Sequence, residues 1–544
     1  MKKFIIKDFY IAILECIVIV GLALVPLFFS FPYRVNIFLS WEGAFRLYKG
    51  QMPFRDFGLP MGFAFWVIPT IFFKIFGPYL ITLVKAQVLI NIISGFSFRS
   101  ILKVFNVRPG LRFMCVLVFC ISYSFFNFWP WYDQSVIVFE LVALSFILKF
   151  IFESKVRARN VYLLIGCFFL FVSFFTKQDG GGLAFMICFL LVLYHSIVER
   201  KIKYVLFFTG TYFLFAVAII SPFIPHNFFY WFNYGQPYQN SRLSLFDILS
   251  VFLEQSKWIK FYILIVIFVG LSKLKKVKLL KENKKDAIFF LVTIGILAEA
   301  SIFQVTSYTP PDNNIFFHSF AFAYIVSNLD VFKNINFSRV RIFILSSCLI
   351  LVWWSSSYWK YIDRIAKREF HIQEKVDPNE VSIRTYMDSP SSDSLDTNSD
   401  MSTWVGSDVN GFQKIYMPKS TADGMDRLLE LPLVKQKGAE LKVLNMTELT
   451  PLAYAIGYKL ETGHDIPLWY HKGVGMFQKQ IDEYCSKIAG RYYDLVLFED
   501  IPILNNFYPF EVQDYLKQYY SEIDSFSGPR RGQYSRIEVF VRPK

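Results

Sequence analysis

Two carboxylates, Glu42 and Asp56, stand fourteen residues apart in a stretch that also holds Arg46, Lys49, Arg55 and Lys74. A carboxylate among cations suits one kind of chemistry. It accepts the proton of an attacking hydroxyl while the cations hold an anionic leaving group. The bland alternative is a solvated interfacial helix-turn-helix, because Trp, Tyr, Arg and Lys favour that depth. Lys177 and Gln178 form a second candidate beside Gly180, Gly181 and Gly182, where bare backbone amides can approach an anion. Here the alternative is a helix stop with a snorkelling lysine. His318 follows a Pro310-Pro311-Asp312 turn and either contacts phosphate or sugar, or packs among aromatics. Glu15, Lys85, Glu140 and Glu299 interrupt long apolar runs, where ionisable groups face a cavity or a partner. Asn445-Met-Thr447 fits a glycosylation sequon only weakly. No His/Cys cluster has zinc spacing, so no metal site is assigned. A divalent cation between Glu42 and Asp56 is conceivable, with nothing else in the sequence to support it.

The elements that must position these groups are membrane helices. Of 544 residues, 54% are hydrophobic and 63 are Phe, with a mean hydropathy of +0.38, more apolar surface than a water-soluble chain can hide. The net charge of +14 does not indicate nucleic acid. Its Lys and Arg fall in short clusters between apolar runs, without the basic and aromatic interleaving of a nucleic-acid platform. Apolar windows long enough to span begin near Phe9, Tyr79, Leu111, Ser135, Val161, Leu183, Tyr204, Trp258, Ala287, Ile315 and Ile342, about eleven in all. Phe63–Phe76 is either one more span or an interfacial helix. The run from Phe9 to Phe29 is long for a signal peptide and lacks a small-residue cleavage site, so it reads as a retained first helix.

Basic clusters at Lys2/Lys3/Lys7, Arg99/Lys103/Arg108, Lys155/Arg157/Arg159, Arg200/Lys201/Lys203, Lys273–Lys285 and Arg339/Arg341 fall in alternate loops. The positive-inside rule then places the N-terminus in the cytoplasm and the C-terminal domain outside it. Six of the seven Cys lie in apolar segments, leaving Cys485 alone in the polar part, so no disulfide is expected there. Three regions result: a membrane domain over 1–358 with a long outer loop at 32–78, a connecting segment over 359–405, and a soluble α/β domain over 406–544. The connecting segment contains the acidic, Ser-rich run Asp388–Asp400. In the α/β domain Leu441–Asn445, Leu495–Phe498 and Ile537–Val541 are strand-like, and Met476–Ala489 and Phe510–Ile523 have helical periodicity. No internal repeat is evident. Arg34, Arg46, Arg55, Lys74, Lys85 and Lys177 lie on the side that the rule depletes of cations, which a lipid-linked phosphate would explain.

The outer loop carries Trp41-Glu42, Gly50, Pro53-Phe54-Arg55-Asp56-Phe57, Gly58, Pro60 and Phe76-Gly77. It resembles the first periplasmic loop of GT-C glycosyltransferases, in the bacterial branch that includes protein O-mannosyltransferases, aminoarabinose transferases and rhizobial lipopolysaccharide core transferases. Phe175-Thr-Lys-Gln-Asp179 and the layout of helices followed by an outer α/β domain are similar as well. The resemblance covers the loop well and the membrane region loosely. It implies an inverting hexosyl or pentosyl transferase in a bacterial plasma (inner) membrane, using a polyprenyl-phosphate sugar donor and an envelope glycan, lipid or protein acceptor. Glu42 and Asp56 would then be catalytic, and Arg55, Lys74, Lys177, Gln178 and His318 would bind substrate. The chain departs from the pattern at Trp41, where those families usually carry an Asp taken as the base. Glu42, then Asp56, inherits that role unless the chain is a non-catalytic scaffold.

Two further rivals have their own signatures. A transporter or flippase of lipid-linked glycans predicts paired, Gly/Pro-broken helices in two related halves. An envelope-polysaccharide polymerase or ligase predicts a large outer loop between late helices.

Overall fold

The computed structural model describes residues 5–33, 37–124, 127–234, 244–273, 283–307, 316–359, 362–363, 404–468, 472, 476–502, 509–529 and 535–543. Arg34, the Pro310-Pro311-Asp312 turn and the Asp388–Asp400 run lie outside these residues. Each of the eleven apolar windows contains a helix: Asp8–Leu24, Leu80–Val104, Pro109–Phe119, Tyr132–Phe152, Val156–Thr176, Gln178–Glu199, Lys203–Ile220, Lys257–Lys273, Lys284–Thr306, Phe317–Asn328 and Val340–Trp353. Among the described residues, seven helices are long and apolar enough to cross a membrane, short of the eleven expected. The shortfall is one of length. Lys257–Lys273 has 17 described residues, Val340–Trp353 has 14, Phe317–Asn328 has 12 and Pro109–Phe119 has 11, against the roughly 20 that a bilayer demands. The chain is a multi-pass helical membrane protein.

Ion pairs inside the bundle fix the first helices. Glu15, fully buried, accepts from Arg99 Nε at 2.5 Å and Arg112 Nε at 2.7 Å, joining Asp8–Leu24 to Leu80–Val104 and Pro109–Phe119. Close backbone approach does similar work at Gly181, where an added Cβ would sit 2.1 Å from Phe174 Cα in the preceding helix.

The stretch expected as an outer loop holds two helices packed together, Ile37–Tyr48 and Ala64–Phe76. The first is mostly buried, from Leu39 through Arg46. Ahead of it, β1 (Phe31–Pro32) joins β2 (Val405–Gly406) and β3 (Ile415–Met417) in a small sheet ordered β1-β3-β2. Beyond residue 404 a four-stranded sheet follows the order β4-β5-β7-β6, with β4 Val443–Met446, β5 Leu495–Asp500, β6 Ser521–Ser527 and β7 Arg536–Val541. β4 and β5 are parallel and the other pairs antiparallel. Phe477–Ala489 and Phe510–Tyr519 cover this sheet through Ile481, Tyr484, Ile488, Val512 and Leu516.

One expected element is corrected. The helix anticipated over Phe510–Ile523 stops at Tyr519, and β6 starts at Ser521. Among the described residues β6 pairs only with β7, which makes it an edge strand there, and its sequence SEIDSFS is as polar as an edge requires.

Candidate active site

Glu42 lies on the buried face of Ile37–Tyr48 and meets Arg46 one turn on, with Nε and the second terminal nitrogen both 2.8 Å from Oε1. Among the described residues Oε2 receives no bond. Arg46 is itself buried and branches further. Its other terminal nitrogen donates to Gln51 Oε1 and to the Glu461 carbonyl, both at 2.9 Å, and the guanidinium lies 5.0 Å over the Phe57 ring. The C-terminal domain thus takes part in shaping the surroundings of Glu42. Tyr458 of that domain lies within electrostatic reach. Burial raises its phenol above the ordinary value, and the Glu42 charge adds to the rise.

Trp41 turns to another task. Its Nε1 donates to the Pro78 carbonyl at 2.8 Å, and its ring stacks on Phe45 at 4.4 Å.

Asp56 shapes a turn. Arg55 reaches it through Nε to Oδ1 at 2.9 Å and a terminal nitrogen to Oδ2 at 2.7 Å, and Met52 N donates to Oδ2 at 2.8 Å. The Arg55 bond holds the Asp56 carboxyl below the usual carboxylate range against an opposing effect of burial, and the Met52 amide helps. The Asp56 carbonyl accepts from Gly463 N at 2.9 Å, and Gly58 bridges to Pro467, so this turn also docks on the C-terminal domain. Both Asp56 oxygens are therefore occupied, whereas Glu42 keeps one open. Arg55 is half-exposed. Lys74 is exposed and forms no ion pair among the described residues.

Lys177 is the residue between the helices Val156–Thr176 and Gln178–Glu199, and it is buried. Its Nζ lies 2.6 Å from Asp133 Oδ1 and 3.4 Å from Asp179 Oδ2, and donates to Ser307 Oγ. Ser307 in turn donates to Asp179 Oδ2 at 2.8 Å, and Trp131 Nε1 donates to Asp133 Oδ2 at 3.3 Å. A phosphate reaches this ammonium only by displacing one of its partners. Gln178 Nε2 donates to the Pro60 carbonyl at 3.0 Å and the Phe232 carbonyl at 2.8 Å, pinning the 58–62 turn to this helix end.

An aromatic floor joins the two clusters. Gly43, next to Glu42, sits on Trp66 so closely that a Cβ there would be 1.9 Å from the indole. Trp66 meets Phe65 with centroids at 4.8 Å, Phe65 meets Tyr132 at 6.0 Å, and Lys177 Nζ lies 5.3 Å over the Tyr132 ring. Trp66 Nε1 is buried without an acceptor among the described residues.

His318 stands apart from both. It is buried among Phe317, Trp258, Tyr262 and Trp354, with Nδ1 3.2 Å from the Tyr262 hydroxyl. Asp133 and Asp179 are the residues that the sequence reading missed as site candidates. Asp133 sits in the polar Trp129–Gln134 stretch, where a carboxylate beside two Trp was the only signal. Among the described residues no three His, Cys, Asp or Glu side chains come together as metal ligands.

No family model and no curated protein matches the sequence. Six chains among the solved structures match the fold, and two of them are crystal structures of one protein. The crystal structure of ArnT from Cupriavidus metallidurans in the apo state aligns with a TM-score of 0.53 and 11% identity, covering 97% of each chain. The same protein bound to undecaprenyl phosphate aligns with a TM-score of 0.48 and 11% identity, again over 97% of each chain. The chain therefore has an ArnT-like fold, which runs through the helical bundle, the first loop and the C-terminal sheets alike.

Proposed function

We propose that this chain is a membrane glycosyltransferase that moves a sugar from a polyprenyl-phosphate donor to an extracytoplasmic acceptor of the cell envelope. The observation that carries the reading is the ArnT-like fold over 97% of the chain, because it comes with a first loop that resembles the GT-C pattern. The N-terminus is then cytoplasmic, and the first loop and C-terminal domain share the outer face of a bacterial plasma membrane.

Glu42 is the base, and its open Oε2 is the atom that accepts the proton. As the acceptor oxygen attacks the anomeric carbon, that carbon's bond to the phosphate oxygen breaks on the opposite face. The configuration inverts, and the polyprenyl phosphate departs as an anion. Arg46 orients Glu42. Asp56 and Arg55 hold the turn that the acceptor approaches; the exposed Lys74 is free to meet the phosphate, and the half-exposed Arg55 meets it only by giving up a bond to Asp56. Lys177 and Gln178 bound the other side of the aromatic floor, where Trp66 Nε1 is a buried donor with no protein acceptor among the described residues. Such a donor suits a sugar hydroxyl.

Sugar transfer by the purified protein, with synthetic polyprenyl-phosphate sugars and an envelope lipid fraction as acceptor, tests the reading. Glu42→Gln should lose about 10²–10⁴ in turnover. Wild-type turnover in that variant removes Glu42 from the base role. Movement of lipid-linked sugar across sealed vesicles without a new glycosidic bond favours the flippase instead.

A further inference from the structure

Two glutamates face each other inside the bundle, and the transfer chemistry above uses neither of them. Glu140 is on Tyr132–Phe152 and Glu299 on Lys284–Thr306, and they are 1% and 3% exposed. Glu140 is seven residues beyond Asp133, and Glu299 is eight residues before Ser307. At 1.5 Å per residue both lie about 10–12 Å along their helices from the Lys177 cluster.

The two carboxyl groups are within hydrogen-bonding reach of each other. No donor among the described residues reaches any of their four oxygens. The titratable groups that reach the pair are the Tyr123 hydroxyl from the turn at 120–124, and Cys188 and Asp179 from Gln178–Glu199. None of them is a cation. The other helices packed on these two, Ala64–Phe76, Leu80–Val104, Val156–Thr176, Leu245–Glu254, Lys257–Lys273 and Phe317–Asn328, bring no charged group to the pair among the described residues.

Two oxygen atoms that are both acceptors do not approach each other without something positive between them. Two bare carboxylates in contact repel each other far more strongly in a protein interior than in water. Each also forfeits the hydration that would stabilise its charge. A metal ion on this pair would have to bring waters to complete the six or more oxygens that Mg²⁺ or Ca²⁺ takes. One proton needs only the two oxygens it joins, and it turns one acceptor into a donor.

We propose that Glu140 and Glu299 form a proton-binding site, sharing a single proton between the Tyr132–Phe152 and Lys284–Thr306 helices and so bolting them together inside the membrane. This site does not depend on the transfer reaction. The wild-type protein already contains it, so its evidence is spectroscopic.

Infrared spectra of the full chain in lipid nanodiscs, in H₂O and D₂O, test it. The spectrum of wild type minus that of Glu140→Gln/Glu299→Gln should contain a protonated-carboxyl carbonyl band worth one carboxyl per chain, shifted down in D₂O. No such band, or one worth two carboxyls, overturns the shared proton. So does a metal ion bound one per chain in wild type and absent from the double variant. Should the double variant not fold, either single variant decides. Its protonated-carboxyl band should move or vanish as the partner changes, and a band left at the wild-type position overturns the proposal.

Discussion

Replacing Arg46 by methionine keeps the side chain's apolar length and removes its charge, which isolates what the guanidinium does. The Arg46 and Glu42 side chains are 6% and 10% exposed, so this pair is buried although it has the i,i+4 spacing of a surface helix pair. An exposed pair of that spacing contributes about 0.3–0.5 kcal/mol. Removing one partner of a buried pair costs about 3–5 kcal/mol, because the other charge stays uncompensated. Arg46→Met also releases the Gln51 side chain and the Glu461 carbonyl, which ties the first loop to the C-terminal domain. The assay is unfolding in mixed detergent micelles, followed by Trp fluorescence, for Arg46→Met, Glu42→Gln and the double variant. Arg46→Met should be destabilised by about 3–5 kcal/mol. The double variant should recover about 1–3 kcal/mol of the sum of the singles, since removing Glu42's charge removes the penalty. Protease sensitivity near Leu460 and Glu461 should rise in Arg46→Met. A loss below about 1 kcal/mol, or strict additivity, would refute the assignment of Arg46 as a buried hub.

Other perturbations have equally definite outcomes. Gly62→Ala places a Cβ 1.2 Å from the Phe175 carbonyl oxygen, so the 58–62 turn must move. Unfolding measurements should report at least the upper part of a ~1–3 kcal/mol overpacking cost. At Gly182 an added Cβ meets nothing within 4 Å, and in the same assay Ala there should stabilise by about 0.5–1 kcal/mol through helix propensity. Gln178→Leu strands the Pro60 and Phe232 carbonyls and should cost about 1–3 kcal/mol per carbonyl left dry, read from the same titration. Asp56 is a pH test. Its carboxyl is held low in the fold, so its stabilising contribution is complete above the unfolded value of about 3.9 and fades as pH falls through the lower folded value. Stability measured from pH 5 downward should therefore drop more steeply in wild type than in Asp56→Asn, and parallel curves would contradict that assignment.

Much of the helical frame was legible because lipid imposes a simple code: about 20 apolar residues make a span, and all eleven windows contain helices. Glu42 and Arg46 were legible as separate charges but not as a buried pair, because the partner that encloses them, the Leu460–Glu461 backbone, lies more than 400 positions away. The placement of Lys177 between Asp133 and Asp179 was hidden for a similar reason. Asp133 comes from a different helix than the Lys177–Asp179 segment, and local pattern cannot register helices against one another. Polarity misled at Ser521–Ser527, where an edge strand needs only one apolar contact, Phe526, to hold it. His318 was named as a substrate-binding candidate with packing among aromatics as the alternative, and it lies buried among aromatic rings.

The parallel pairing of β1 with β3 has a consequence for biosynthesis. Phe31 N donates to the Lys414 carbonyl and Tyr33 N to the Tyr416 carbonyl, so a segment made early is completed by one made much later. Roughly 380 residues intervene, which at 5–20 residues per second is about 20–80 s. Throughout that interval every membrane helix is threaded while the first segment's strand edge is unsatisfied. Closure of the small sheet is therefore a late assembly checkpoint. A ribosome that stalls before it leaves a bundle whose first loop lacks its partners from the C-terminal domain.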